Sequence, residues 1–203
     1  PFTNEAVGAE NYGTLSYVIE SPHEAGVIYT GSDDGVVSLT RDGGKTWKNV
    51  TPTGLAETLI NAIEVSPHDK GTAYIATTRY KFNDHAPALY KTTDYGATWV
   101  KIDRGIPDGA FTRVVREDDV RRDLLFAGTE RGLFVSFNGG RDWAPFQRNL
   151  PAAPITDLRV HRGALIAATS GRAFWILDDL ALLRQYDAAT PAFHAYTPAP
   201  ALL

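Results

Sequence analysis

The chain has 203 residues, of which 43% are hydrophobic, 11% aromatic and 22% charged, and it carries a formal net charge of −4. That balance supplies a core and argues against disorder, and an acidic chain without a long basic run lacks the usual nucleic-acid footprint. Cysteine is absent, which excludes disulfides and thiolate metal sites, and no run approaches the ~20 apolar residues that span a bilayer.

Short β-branched and aromatic runs bounded by Gly, Pro, Asp and Asn predict strands along the whole chain. In order, the first unit reads 15–21, 27–30, 36–39 and 47–50. The second reads 59–66, 73–77, 88–91 and 99–102, and the third 112–117, 124–127, 133–136 and 143–146. In the fourth only 155–160, 164–168 and 173–177 stand out.

One motif follows the third strand of the first three units, as Thr40-Arg-Asp-Gly-Gly-Lys-Thr-Trp47, Thr92-Thr-Asp-Tyr-Gly-Ala-Thr-Trp99 and Ser136-Phe-Asn-Gly-Gly-Arg-Asp-Trp143. A pattern that returns every 44 to 52 residues announces repeat architecture. Asp-Gly-Gly and Asn-Gly-Gly supply the positive φ of a tight hairpin, and Asp42, Asp94 and Asn138 are placed to cap the turn's own N–H groups. Trp47, Trp99 and Trp143 open the following strand, where an indole can bury against a neighbouring sheet and satisfy its single donor. These six residues read as structural.

The turns between first and second strands repeat too, as Ser21-Pro-His and Ser66-Pro-His. We read His23 and His68 as turn residues facing water rather than as catalysts, because Pro sets φ at the same point of consecutive repeats. Pro22 to Trp47 is 25 positions and Pro67 to Trp99 is 32, so the second unit carries seven extra residues, within 79–87. The fourth unit lacks the motif. Its apolar stretch 180–186 predicts a helical turn, and within the Ala/Pro-rich tail 187–203 residues 193–197 are expected to supply the missing fourth strand.

Four-stranded units arranged radially are propeller blades. The fold class expected is all-β: a partial β-propeller of about four four-stranded blades over 1–186, with repeats at about 11–52, 58–103, 111–147 and 155–197. The arc belongs to a larger ring, whose remainder lies in sequence before Pro1 or on another chain. Neither an initiator Met nor any other methionine is present, so we expect a processed product or a piece of something longer.

The motif resembles the Asp-box, or BNR repeat, of sialidase-like and sortilin-like propellers. Asn11-Tyr-Gly-Thr-Leu-Ser16, Gly105-Ile-Pro-Asp-Gly109, Arg113-Val-Val-Arg-Glu-Asp118, Ala127-Gly-Thr-Glu-Arg-Gly132 and Gly171-Arg-Ala-Phe-Trp-Ile-Leu-Asp-Asp179 extend the likeness. Together they resemble the large bacterial sortilin-like (VPS10-like) BNR-repeat proteins, often labelled glycosyl hydrolases, from about Asn11 to Gln185. The resemblance implies an exported bacterial protein, periplasmic or secreted, whose kin bind polypeptides. Asp-box propellers also assist assembly of photosynthetic membrane complexes.

Blade topology puts the motif hairpins and the Ser-Pro-His turns on one face, and the two-to-three and four-to-one loops on the other. Loops of that second face carry function more often than the strands that hold them. There, Asp33, Asp34 and Glu130 are the candidate acid and base of a two-carboxylate glycoside hydrolase. Arg79, Asp84, His85, Arg131 and Arg172 are candidate ligand contacts. Arg79, Arg131 and Arg172 could mimic a sialidase's carboxylate grip, but no Tyr/Glu nucleophile pair accompanies them. The carboxylate pairs Asp118-Asp119 and Asp178-Asp179 lack calcium-loop spacing, so neither a metal nor a cofactor is expected. Two functions compete: a scaffold that binds a protein, a peptide, a larger assembly or the rest of its own propeller, and a glycan hydrolase.

Overall fold

A computed structural model describes residues 13–187, 189 and 194–198, which form four antiparallel sheets in chain order. The first comprises β1 (Leu15–Glu20), β2 (Ile28–Ser32), β3 (Val37–Thr40) and β4 (Lys48–Asn49). The second is β5 (Leu59–Val65), β6 (Ala73–Thr78), β7 (Leu89–Thr92) and β8 (Val100–Lys101), and the third β9 (Thr112–Glu117), β10 (Leu125–Thr129), β11 (Gly132–Ser136) and β12 (Ala144–Pro145). The fourth holds β13 (Ile155–His161), β14 (Ala164–Thr169) and β15 (Phe174–Leu177), followed by α1 (Ala181–Gln185). These are consecutive blades of a partial β-propeller, and the all-β arc expected from the repeats is what forms.

β6 and β10 are buried along their whole length, because each lies inside a blade that is covered by neighbours on both flanks. They accordingly read as near-continuous small and apolar runs. The fourth strands are two exposed residues long, which leaves little edge for unwanted pairing. Blade-to-blade packing matches sizes at one register position. Gly31 and Gly128 face Ile60 and Ile155 of the next blade so closely that a Cβ would collide with them. Ala76 takes the equivalent place in the second blade, where the residue at the Ile60 and Ile155 position is the smaller Thr112.

The three motif hairpins share one geometry. Asp42 Oδ1 accepts from Thr46 N (2.9 Å) and Thr40 Oγ1 (2.8 Å), and Oδ2 from Thr46 Oγ1 (2.6 Å). Asp94 repeats this with Thr98 and Thr92, and Asn138 Oδ1 accepts from Asp142 N at 3.0 Å. The threonine hydroxyls first, then the backbone amides, hold both Asp carboxyls down at about 2. Gly43, Gly44, Gly139 and Gly140 take the positive φ, as do Tyr95 and Gly96 in the second hairpin. Tyr95 offsets that strain by reaching the first blade: its hydroxyl donates to Glu24 (2.6 Å) and Arg41 stacks on its ring.

Each tryptophan precedes its strand by one residue rather than opening it. Trp99 Nε1 donates to Val50 O of the preceding blade (2.7 Å) and Trp143 Nε1 to Ile102 O (2.5 Å). Trp47 behaves differently from the expectation of a buried indole: it is 47% exposed, against 5% for Trp143, and bonds Gly44 O of its own turn. No blade precedes it among the described residues. Trp143→Phe should therefore cost about 2 kcal/mol, from an orphaned carbonyl and lost packing, whereas Trp47→Phe should stay within about 0.5 kcal/mol. Urea unfolding of the two variants provides the comparison.

Two further expectations need correction. His23 and His68 do not simply face water; their Nε2 atoms bond the carbonyls of Ser66 (2.9 Å) and Asp118 (2.7 Å), the same turn of the following blade. The residues expected to complete the fourth blade form no strand over 194–197, and Phe193 lies outside the described residues, as do residues 1–12, which include the start of the first repeat, and most of the tail. Instead Leu180 and Leu183 bury in the core, and Leu180 N donates to Gly163 O (2.9 Å). That bond takes the place of the hairpin-to-turn bonds of the other blades, Gly43 to Gly26, Tyr95 to Gly71 and Gly139 to Asp123. Arg184 of α1 clamps the buried Asp118 of the third blade.

Candidate binding site

Those hairpin-to-turn bonds place the motif hairpins and the one-to-two turns on one face. On the opposite face, Asp33 N, Glu130 N and Ser170 N donate to Thr14 O, Phe111 O and Pro154 O, which ties each two-to-three loop to the residue that leads into the first strand. The second blade departs from this because residues 79–87 intervene. Tyr80–Phe82 make one 3-10 turn, Asn83 takes positive φ, and the loop folds over the start of the third blade.

The result is a compact aromatic and charged surface. Tyr80 stacks on Phe111 with ring centroids 5.8 Å apart, and the His85 ring meets Phe111 edge-on at 5.7 Å. Arg113 lies over the Phe111 ring at 5.1 Å and directs Nε and Nη2 to Glu130 Oε2 at 2.9 and 2.7 Å. Arg79 pairs with Asp84 at 3.0 Å, reaches Glu57 O and lies over Phe82 at 4.7 Å. Backbone donation from Ala86 and then the Arg79 guanidinium hold the Asp84 carboxyl below the usual range. Gly109 N donates to His85 O (3.1 Å), and the Arg131 guanidinium covers Gly109.

Arg79, Asp84, His85, Glu130 and Arg131 thus converge on the second and third blades. The other candidates sit apart. Asp33 Oδ1 accepts from Gly13 N and Thr14 N (both 2.8 Å), capping the segment that leads into β1, and Asp34 accepts from Ser32 Oγ of its own loop, so both carboxyls serve the backbone and loop around them. Arg172 is exposed, and its carbonyl accepts from Trp175 Nε1 (2.8 Å). Sequence reasoning missed Phe111, Arg113 and Tyr80. The available signal was an aromatic residue in the second-blade insertion facing another at the start of β9.

It also missed Arg116, on the inner strand of the third blade. Arg116 Nε donates to Leu158 O (2.9 Å), and Nη2 to Tyr17 Oη (3.0 Å) and Asp157 Oδ1 (2.8 Å), while Nη1 lies 3.6 Å from Glu64. One guanidinium therefore touches all four blades. Burial pushes the Glu64 carboxyl up to about 7, which outweighs the pull of Arg116. The cluster is a structural hub rather than a second candidate site.

No protein-family model and no curated protein sequence matches this chain. Solved structures do. YCF48 bound to D1 peptide matches with a TM-score of 0.61 at 16% identity, over 85% of this chain and 52% of that one. A GH74 xyloglucanase from Xanthomonas campestris matches at 0.62 and 16% identity, over 80% and 29%, and the computationally designed Ika8 protein at 0.56 and 13%, over 82% and 46%. At these identities the likeness shows the β-propeller fold. The chain spans about half of the YCF48 structure and under a third of the xyloglucanase. Among the described residues no helix is long and apolar enough to cross a membrane.

Proposed function

We propose that this chain is part of an exported, sortilin-like β-propeller that binds a polypeptide on the face opposite the motif hairpins, at the exposed Tyr80 and His85 surface that covers the buried Phe111. The observation that carries this reading is the arrangement of Tyr80, Phe111 and His85 beside Arg113–Glu130, Arg79–Asp84 and Arg131. Rigid aromatics with arginines at their rim are the usual anchors of protein recognition. YCF48 bound to D1 peptide supports it as a propeller with a peptide ligand.

Glycan hydrolysis by Asp33 or Asp34 with Glu130 is the second reading, supported by the xyloglucanase likeness and by an aromatic surface that also suits a sugar ring. It asks for a carboxyl able to donate a proton. Here both Arg113 contacts converge on Glu130 Oε2, Asp33 accepts from the amides of Gly13 and Thr14, and Asp34 accepts from Ser32 of its own loop.

The test is selection from a displayed peptide library followed by calorimetric titration of the selected peptides, alongside a turnover screen on β-glucan oligosaccharides. Tyr80→Ala, at the exposed ring that covers the buried Phe111, should weaken peptide binding about 30-fold, the effect of losing a ~2 kcal/mol anchor, with no turnover by the unaltered chain. Glycan turnover abolished by Asp34→Asn or Glu130→Gln would overturn the binding reading.

A further inference from the structure

Within the arc an indole closes the gap between successive blades. Three bonds fix the equivalent places: Val50 N donates to Val37 O, Ile102 N to Leu89 O and Phe146 N to Leu133 O, each at 2.8 Å. Trp99 of the second blade donates to Val50 O, and Trp143 of the third to Ile102 O. At the next gap, between the third and fourth blades, that donor is missing. After β15 the chain runs through Asp178 and Asp179 into α1 instead of a motif hairpin, and no described group donates to Phe146 O.

A groove stands in the place of the indole. Leu133 and Phe146 form its third-blade wall, and Leu165, Ala167, Trp175 and Leu177 its fourth-blade wall. It has room for about 70 Å³, against the roughly 10–15 Å³ that one water requires. An apolar slot beside a carbonyl without a donor suits a flat ring that carries a single N–H, which describes an indole. Trp175 does not meet this need, because its own Nε1 donates to Arg172 O at 2.8 Å. The described part of the tail runs elsewhere: Thr197 exchanges hydrogen bonds of 2.8 and 3.0 Å with the Gln185 side chain, which holds it against α1. Contacts lead instead from the groove to the aromatic surface of the second and third blades. Gln147, which lines the groove, packs against Gly132, and the neighbouring Arg131 covers Gly109, whose N–H donates to His85 O.

We propose that the polypeptide ligand presents a tryptophan to this groove, its indole between the third and fourth blades and its Nε1 donating to Phe146 O. The proposal rests on the binding reading given above and adds a second anchor to it. N-acetyltryptophanamide is the first probe, titrated into the intact chain and followed by saturation-transfer NMR. It should bind, and N-acetylphenylalaninamide should bind about tenfold more weakly for want of the donor. Ala167→Phe fills the groove from its wall, and Asn149→Trp covers it from the exposed loop. Each should abolish binding of the amide, with circular dichroism as the control on folding, whereas Tyr80→Ala should leave it unchanged. In peptides selected against the chain, replacing the tryptophan by alanine should weaken binding about 30-fold to the unaltered chain and not at all to Asn149→Trp. An amide that does not bind, or that still binds both groove variants, overturns the proposal. Selected peptides that lose affinity with Tyr80→Ala but ignore both groove variants overturn it too; the Tyr80 surface then stands, and the groove belongs to a strand of the protein itself. If the amide binds and no peptide is selected, the binding reading falls and the tryptophan ligand with it.

Discussion

Gly128→Val should lower the stability of the chain by roughly 3 kcal/mol or more, read as a fall in the urea midpoint at unchanged slope. Gly128 has ordinary extended φ, so space decides the outcome rather than backbone strain. A Cβ there would stand 2.6 Å from Ile155 Cγ2 of the next blade and 2.6 Å from Val114 Cγ1 of its own inner strand. Both contacts are with branched side chains that are fully buried, so neither can swing aside as a flexible surface chain would. Close-packed interiors transmit such strain, and the contact between the third and fourth blades must open. Gly128→Val with Ile155→Ala should recover part of the loss, because the double variant restores a small-and-large pairing with the sizes exchanged. A fully additive double variant would contradict direct contact across the blades.

The second large effect is expected at Arg116. Arg116→Met removes a buried guanidinium that bonds Leu158 O, Tyr17 Oη and Asp157, and should cost about 3–5 kcal/mol, the usual range for breaking a buried charge network from one side. It should also change the pH profile. In the folded chain Glu64 titrates near 7, above its ordinary value of 4.5, mainly because it is buried. Between those values the folded chain holds a proton that the unfolded chain has released, so its stability falls as pH rises from about 4.5 to about 7. Without Arg116 the carboxyl loses its attractive partner, and the decline should extend above pH 7. Glu64→Gln should flatten the same window in either background. Thermal unfolding at a series of pH values measures all three curves.

The local devices were legible and the contacts between blades were not, for a physical reason. Hairpins such as Asp42–Trp47 are closed by groups within a few residues of one another, so positive-φ glycines and a capping carboxylate announce them. The partner of the Trp143 indole lies 41 positions away and that of Arg116 Nε 42. Nothing in the residue types says which face of a short strand meets the next blade. Register, once known, exposes signals that single runs hide. Glu64, Arg116 and Arg159 occupy one position on successive inner strands, and the glycine, alanine and isoleucine choices at the blade contact vary in size together. The loop face was legible as a place, through the seven-residue insertion and the charged turns. Its chemistry was not, because Asp33 and Asp34 look free in sequence and act as loop caps. Phe111 reads as an ordinary strand entry until the insertion folds over it.

The position of a bound polypeptide tests the account most directly. Amide hydrogen exchange of the chain, alone and with a peptide selected against it, should show new protection over residues 79–87, 109–113 and 129–131, where the aromatic and arginine groups of the second and third blades meet. Protection confined instead to the motif hairpins at 41–46, 93–98 and 137–142 would contradict the assignment of binding to the opposite face.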